Sequence, residues 1–393
     1  MKILRIISFG FPGGGAETGV MEIDKILRKK GNIVKVISSD AHPEEKHFSD
    51  YEFKAINPNN PFKIFFHILN ISAYLTIRKV LKEYKPDVVH LDTMGEVSPL
   101  VLLLFKNTPT LMTIHGPEFF IPSMLIWGLG EENFKNGRID KKNLNLSGKI
   151  NYFYFRFVQG TVYKYVLKKV NLFVVNSLYM KNLISTQLKP NLLIYNGIKL
   201  LKYNKIKYSH NLLYVGRIEE YKGIQYAIKA MPQVVKKYPD TIFSIVGEGN
   251  YMPNLKSLVN SLNLQNNVRF LGWIDHEKID SYYDKSSIFI MPSIWPEAFG
   301  KTGVEAMSKG RPVIASKVGG IPEWLEDSKT GFLVNPKSSN EIAEGVIKLF
   351  GDKKLLFTFG EYARARAEFF SVEKYADNLI KVYINLKKSS FLK

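Results

Sequence analysis

Short, nearly unbroken apolar runs recur along this chain with longer amphipathic stretches between them, and the series begins twice. That alternation is the mark of α/β units built on parallel strands, which are buried on both faces and so need apolar residues at successive positions. The first series predicts strands over residues 3–8, 33–38, 88–91, 110–114, 172–175 and 192–195. The second predicts strands over 212–215, 242–246, 268–270, 288–291, 312–315 and 331–334. The seam is the polar, lysine-rich stretch NGIKLLKYNKIKYSHN, residues 196–211. With 393 residues the chain exceeds one ordinary core. Two open doubly wound sheets in succession are expected. Ligands of such sheets bind outside the C-terminal strand ends, so those ends should line a cleft between the two domains.

Composition narrows the function classes. Hydrophobic residues make up 45% and charged residues 23%, the balance of a soluble globular chain. Cysteine is absent, which removes disulfides, thiolate zinc sites and cysteine nucleophiles together and fits a reducing compartment. No apolar run reaches the roughly 18 residues of a membrane-crossing helix. The opening MKILRIISFGF runs into PGGGAE instead of a small-residue cleavage site, so it reads as a first strand and not as a signal peptide. A cytoplasmic placement is expected. The net charge of +19 is spread over both halves. Such an excess attracts polyanions (phosphorylated metabolites, nucleic acid, an anionic lipid surface) or is a coat of solvated lysines.

The chemistry concentrates in a few strings. MPSIWPEAFGKTGVEAMSKGRPVIASKVGGIPEWLEDSKTGFLV, beginning at Met291, holds Glu297 and Glu305 with seven residues between them. Glu297 falls in a proline-containing loop after a strand, and Glu305 near the start of a helix predicted over 303–309, ended by Gly310 and Pro312. A carboxylate there can accept hydrogen bonds from a diol such as ribose, or can be an acid well placed on the helix dipole. The backbone N–H groups of Phe299, Gly300, Lys301 and Thr302 can meet sugar oxygens or phosphate. In LLYVGRIEEYKGIQYAIKAM, beginning at Leu212, Gly216 and Arg217 follow a strand, and Lys222 and Gly223 precede a helix. An arginine fork and a lysine at that junction would neutralise a diphosphate, whose charge grows as it leaves; two surface cations beside a loop are the plainer alternative. FGFPGGGAETGV, beginning at Phe9, places Gly14 and Gly15 where backbone can approach phosphate or sugar, without forming G-x-G-x-x-G. In LMTIHGPE, His115 follows a strand end, where a neutral imidazole can donate to a sugar hydroxyl or be a satisfied structural residue; Glu118 serves the acceptor side or only the loop.

Together these strings resemble the retaining GT-B glycosyltransferases of family four, the large family that includes sucrose synthases and bacterial mannosyltransferases. The likeness covers most of the chain; it is specific in the second half and rests on short motifs in the first. It implies a GT-B fold of two doubly wound Rossmann-like domains with an interdomain cleft. Residues 1–198 would be the acceptor-binding domain and 205–373 the nucleotide-sugar-binding domain, with a C-terminal helix over about 374–393 packing back on the first. By the same resemblance Glu297 meets the donor sugar and Glu305 the nucleotide ribose. Arg217 and Lys222, beside Gly216, hold the pyrophosphate, the Gly14–Gly15 loop faces the donor, and His115 touches the transferred sugar. Gly247 and Gly249 in FSIVGEGNYMPNL match the glycine turn beside the nucleotide. VRFLGWID matches the segment against the base, through the backbone near Trp273 and Ile274. YNGI at Tyr195 matches the element before the linker, and Gly319 with Gly320 the turn that closes the donor pocket. The chain departs at Thr302 and Gly303, where the family often carries a hydrophobic residue.

The implied activity is hexosyl transfer from a UDP- or GDP-linked sugar to a glycan or lipid-linked acceptor of the cell envelope. Retention follows from the resemblance, by front-face attack in which the leaving phosphate takes the acceptor proton. The chain contains no D-x-D, H-E-x-x-H or G-x-S-x-G, and HPEEKH at His42 reads as a charged loop, so neither metal nor cofactor is expected. Closure of the domains over the donor is expected. Basic, aromatic stretches beginning at Pro61, Phe119 and Lys149 suit helices lying on anionic lipid, or core helices with lysine outside. Rival readings are a sugar-nucleotide 2-epimerase, which product analysis would separate, and a non-catalytic nucleotide-sugar binder, against which the intact charged residues stand. A nucleic-acid binder rests on charge alone and has no recognisable module, so no nucleic-acid partner is expected.

Overall fold

The computed structural model describes residues 1–57, 68–116, 134–135, 138–139, 149, 153–185, 188, 190–275 and 278–390. Among the described residues the chain divides into two compact units, one of those from Met1 to Gly197 together with those from Val372 onward, the other of Ile198–Ser371.

In the first unit the elements are β1 (Lys2–Phe9), α1 (Gly15–Lys29), β2 (Ile33–Ser39), β3 (Tyr51–Phe53), α2 (Ile71–Tyr84), β4 (Val88–Leu91) and β5 (Thr110–Ile114). A small antiparallel pair follows, β6 (Phe134–Lys135) and β7 (Arg138–Ile139), then α3 (Gly160–Val166), β8 (Leu172–Val175), α4 (Leu178–Ile184) and β9 (Asn191–Leu193). Its main sheet has the order β3-β2-β1-β4-β5-β8-β9, with parallel pairing throughout. The second unit contains β10 (Asn211–Val215), α5 (Ile224–Lys237), β11 (Ile242–Val246), α6 (Met252–Ser261), β12 (Val268–Phe270), α7 (Asp280–Lys285) and β13 (Ile288–Met291). It continues with α8 (Lys301–Ser308), β14 (Val313–Ser316), β15 (Gly331–Val334), α9 (Ser339–Gly351) and α10 (Lys353–Ala367). Its sheet is also parallel, in the order β12-β11-β10-β13-β14-β15. The last helix, α11 (Val372–Ser390), belongs to the first unit.

Periodicity explains how each layer closes. α1 buries Gly19, Val20, Ile23, Asp24 and Leu27, the i, i+3, i+4, i+7 stripe of an amphipathic helix. Its apolar side chains join Ile3, Ile7 and Val36 of the sheet and Tyr375, Leu379 and Tyr383 of α11 in one core. In the second unit α5 supplies Ile224, Ala227, Ile228, Met231 and Val234 against Leu212, Phe243 and Ile245. Each fully buried aliphatic side chain contributes about 1.5–3 kcal/mol by leaving water.

Three of the differences from expectation have local reasons. β3 went unseen because a three-residue edge strand with a glutamate at its centre has no apolar run to detect. β14 starts at Val313, since Pro312 has no N–H for a ladder and offers only its carbonyl, which accepts from Phe289. α8 starts at Lys301, two residues early, because Gly300 takes a φ of +92° as its cap.

In each sheet the strand order reverses direction once. The first strand has its successor on one side and a later strand on the other: β1 lies between β2 and β4, and β10 between β11 and β13. Beyond the C-terminal ends at such a reversal the loops part, leaving a crevice for a ligand.

Candidate functional site

The reversal in the second sheet brings the loop after β10 against the loop after β13. Arg217 follows the end of β10 by two residues, with an exposed side chain and a carbonyl that accepts the Tyr214 hydroxyl at 2.8 Å. A short 3-10 turn over Glu220–Lys222 then leads to Gly223, whose φ of +70° opens α5. A Cβ on Gly223 would stand 2.0 Å from the Pro292 carbonyl oxygen, so only glycine permits this approach. The Tyr221 carbonyl accepts the N–H groups of Ile294 at 3.0 Å and Trp295 at 3.2 Å, lashing the two loops together.

That closeness pairs Lys222 with Glu297. Lys222 Nζ donates to Glu297 Oε1 at 2.6 Å, and the Ser293 hydroxyl donates to the same oxygen at 2.6 Å. The Glu297 backbone is held from its other side, where the Gly320 N–H donates to its carbonyl at 2.8 Å. Gly319, at φ +55°, leaves no room for a Cβ, which would fall 2.1 Å from that carbonyl oxygen. Burial alone would push the Glu297 carboxyl up, but Lys222, the Ser293 hydroxyl and Arg217 together outweigh it and hold it below the ordinary value. Glu297 is therefore a carboxylate at neutral pH, within the electrostatic reach of Arg217 and Lys222.

Glu305 stands in the second turn of α8, not the first, as a result of the early helix start. Its Oε2 accepts the Tyr283 hydroxyl at 3.3 Å. Phe299 turns its ring into the interior, and its carbonyl accepts Trp324 Nε1 at 2.6 Å. Trp324 is wholly buried against Gly303, so its indole fills the space that a larger residue at 303 would take. Gly300, Lys301 and Thr302 form the cap and first turn of α8. Gly216, Gly247 and Gly249 pack backbone on backbone: Gly216 donates to Val246, and Ile218 to Glu248 at 2.7 Å. Gly247 donates to Gly272 at 2.8 Å, which sets exposed Trp273 and half-buried Ile274 beside this loop.

His115 lies in the first unit, directly after β5, with Nε2 3.2 Å from Asp92 Oδ1. Asp92 follows β4, and its other oxygen accepts from Arg5 of β1, whose Nε stands at 3.0 Å. Arg5 also reaches Asp24 of α1 at 2.9 Å. Beside them His90 sits 2.7 Å from the Thr113 hydroxyl and 2.6 Å from the Tyr383 hydroxyl of α11. Burial opposes the Asp92 charge, but Arg5 foremost, then His90 and His115, hold its carboxyl far below the usual range. Burial pushes His90 down to about 3 and Asp24 up to about 6. With Asp92 ionised, His115 Nε2 carries the proton that faces it. A neutral His115 then has Nδ1 left as an acceptor, so the donor role expected of the neutral ring is turned toward Asp92. The His115 carbonyl accepts from Asn176 Nδ2 at 3.3 Å.

Gly14 caps α1 without a side-chain hydrogen bond, and Gly15 is its first residue. Glu118 and the stretch from Phe119 lie outside the described residues. His42 pairs with Glu44 at 3.1 Å and His47 with Glu52 at 2.8 Å, so the HPEEKH loop is occupied with local pairs. Among the described residues no group of three or more His, Cys, Asp or Glu could hold a metal ion. Sequence reasoning missed Arg5, Asp92, His90, Ser293 and Tyr283. One signal was available: an arginine in the middle of the otherwise apolar run of KILRIISF demands buried partners.

Comparison with known proteins bears on both units. A family model described as Glycosyltransferase Family 4 matches residues 13–200, and one described as Glycosyl transferases group 1 matches residues 202–366. An uncharacterized glycosyltransferase of Methanocaldococcus jannaschii is 32% identical over 212 residues, 50% of this chain and 53% of that protein. The chain thus spans about half the length of this curated relative. Sucrose-phosphate synthase from Thermosynechococcus elongatus is 22% identical and superposes with a TM-score of 0.76 over 99% of this chain and 100% of its own. Anabaena HepE, solved in complex with UDP, is 21% identical, with a TM-score of 0.70 over 98% of this chain and 100% of its own. Matched in both units by glycosyltransferase models and over nearly its whole length by this architecture, the chain belongs to the glycosyltransferases of GT-B fold.

Proposed function

We propose that this chain is a retaining glycosyltransferase that moves a hexosyl group from a UDP- or GDP-linked sugar to a glycan or lipid-linked acceptor of a cell-envelope polysaccharide, without a metal ion. The observation that carries the reading is the Lys222–Glu297 pair at the sheet reversal, with Arg217 beside it. Arg217 and Lys222 supply two cations to a diphosphate. Because Glu297 Oε1 lies 2.6 Å from Lys222 Nζ, a group attached to a phosphate on Lys222 falls against the Glu297 carboxylate, which can accept from its hydroxyls. Glu305 takes the ribose, and the start of α8 at Lys301 lends backbone N–H groups to the phosphate side. The UDP in the HepE complex supports the donor class.

In this mechanism the bond from the anomeric carbon to the phosphate oxygen breaks as negative charge gathers on the diphosphate. Arg217 and Lys222 stabilise that charge more in the transition state than in the ground state. The acceptor hydroxyl attacks from the departing face and gives its proton to the leaving phosphate. His115 is assigned to the transferred sugar on the family resemblance. Peripheral contact with an anionic bilayer at a cytoplasmic membrane face is part of the proposal. It is supported by exposed Phe153, Phe157, Val158 and Tyr165 beside exposed Lys164, Lys168 and Lys169. Thermal-shift screening with UDP- and GDP-sugars, followed by product analysis with the sugar that stabilises, tests the reading. Stabilisation by neither class would sink it, and an isomerised sugar nucleotide formed without acceptor would replace it with an epimerase.

A further inference from the structure

The carboxylate of Glu305 owes its aim to a neighbouring helix. α7 is short and carries Asp280, Tyr283 and Asp284. Tyr283 is fully buried, its ring lies against Phe289 of β13 with centroids 5.8 Å apart, and its backbone carbonyl accepts Arg311 Nε at 2.8 Å. From this fixed base its hydroxyl reaches α8, 3.3 Å from Glu305 Oε2 and 3.5 Å from the Thr302 carbonyl. Just past the other end of α8, buried Lys309 places Nζ 3.1 Å from Asp280 and 3.3 Å from Asp284. α7 thus grips α8 at both ends and fixes its rotation, and that rotation decides where a second-turn side chain points.

We propose that Tyr283 is a positioning residue for nucleotide binding: its hydroxyl donates to one oxygen of Glu305 and aims the carboxylate at the ribose hydroxyls of the donor. The inference rests on the donor reading given above. A phenol suits the task. Burial, and then the nearby Glu305 charge, keep its proton on well beyond the ordinary tyrosine range, so toward a carboxylate it acts as a donor. A carboxylate has acceptor capacity for this bond and for a diol together.

The test uses the full chain and Tyr283→Phe, which removes one oxygen and keeps the buried ring. UDP and GDP are titrated calorimetrically, then the 2′-deoxy and 3′-deoxy forms of whichever binds. Wild type is expected to lose about tenfold in affinity when a ribose hydroxyl is removed. Tyr283→Phe is expected to bind the ribonucleotide about tenfold more weakly, yet to bind the deoxy forms as wild type does, so that discrimination disappears. In turnover the donor KM should rise while kcat is kept. Equal weakening toward ribose and deoxyribose forms, or undiminished discrimination, would assign Tyr283 to packing alone and overturn the inference. Wild type that binds a nucleotide without discriminating overturns it too. Wild type that binds neither nucleotide removes the donor reading itself, a different failure.

Discussion

Lys222 and Glu297 are 75 positions apart, yet they share a 2.6 Å contact, and the residues that make it so are backbone devices. Gly223 lets the first loop touch Pro292, and Gly319 lets a third loop touch Glu297. Arg217 is different: its side chain is exposed, so it can be removed without disturbing the core. Arg217→Ala should lower kcat/KM by about ten- to a hundredfold, since a charged hydrogen bond to the diphosphate is worth about 1.5–3 kcal/mol. Its melting temperature should match wild type, and unchanged transfer by the folded variant would refute the assignment. Gly319→Ala should cost about 1–3 kcal/mol in stability, from a left-handed backbone and a Cβ forced onto the Glu297 carbonyl. Chemical denaturation measures that cost, and donor titration should weaken with it because Glu297 is displaced.

β1 is a parallel strand with an arginine at its centre, and two buried aspartates, Asp24 of α1 and Asp92 after β4, are placed around that charge. Two of the groups near it respond to acid in opposite senses. His90 is neutral in the fold down to about 3, against an ordinary 6.5. Below 6.5 the unfolded chain takes a proton that the fold refuses, so this histidine lowers stability as pH falls from 6.5 toward 3. Asp24 keeps its proton up to about 6 in the fold but loses it near 3.8 when unfolded, so its contribution rises as pH falls through that window. Between these limits the two effects offset. Asp24→Asn should unmask the histidine, and stability should then fall by about 1.4 kcal/mol for each pH unit of acidification from 6 to 4. Melting temperatures of both proteins across that range decide it, and parallel curves would rule the opposition out. Sequence reading placed β1 and β4 correctly but saw only His115 of this group, because nothing local marks which strand neighbours Arg5.

For the whole molecule, two parallel sheets of the same reversed order carry the chemistry at loops and leave the surface strongly basic, with a net charge of +19. A nucleotide sugar at a hundred times its Kd should stabilise the protein by about 2.7 kcal/mol, visible as a thermal shift. Transfer should persist in excess EDTA if, as proposed, arginine and lysine take the place of a metal at the diphosphate; activity restored only by added Mg²⁺ or Mn²⁺ would count against that. Sedimentation with anionic vesicles should succeed at low salt and fail at high salt, as screening removes the lysine contribution. No sedimentation at low salt would discard the membrane contact. No helix among the described residues is long and apolar enough to cross a membrane.

What could be read from the chain alone was whatever is written in consecutive residues. The strands 88–91, 110–114, 172–175, 242–246, 288–291 and 331–334 were legible to the residue, since a strand packed within a parallel sheet is written as a largely apolar run. The strings around Arg217, Lys222, Glu297 and Glu305 were legible because each is continuous. Tertiary structure alone decided the partners: Lys222 with Glu297, Tyr283 with Glu305, Asp92 with His115, and Arg5 with two aspartates. It also decided that His115 spends its Nε2 proton on a buried carboxylate. Such contacts depend on which strands lie side by side and how closely their loops can approach, and sheet order is settled by packing the whole core at once.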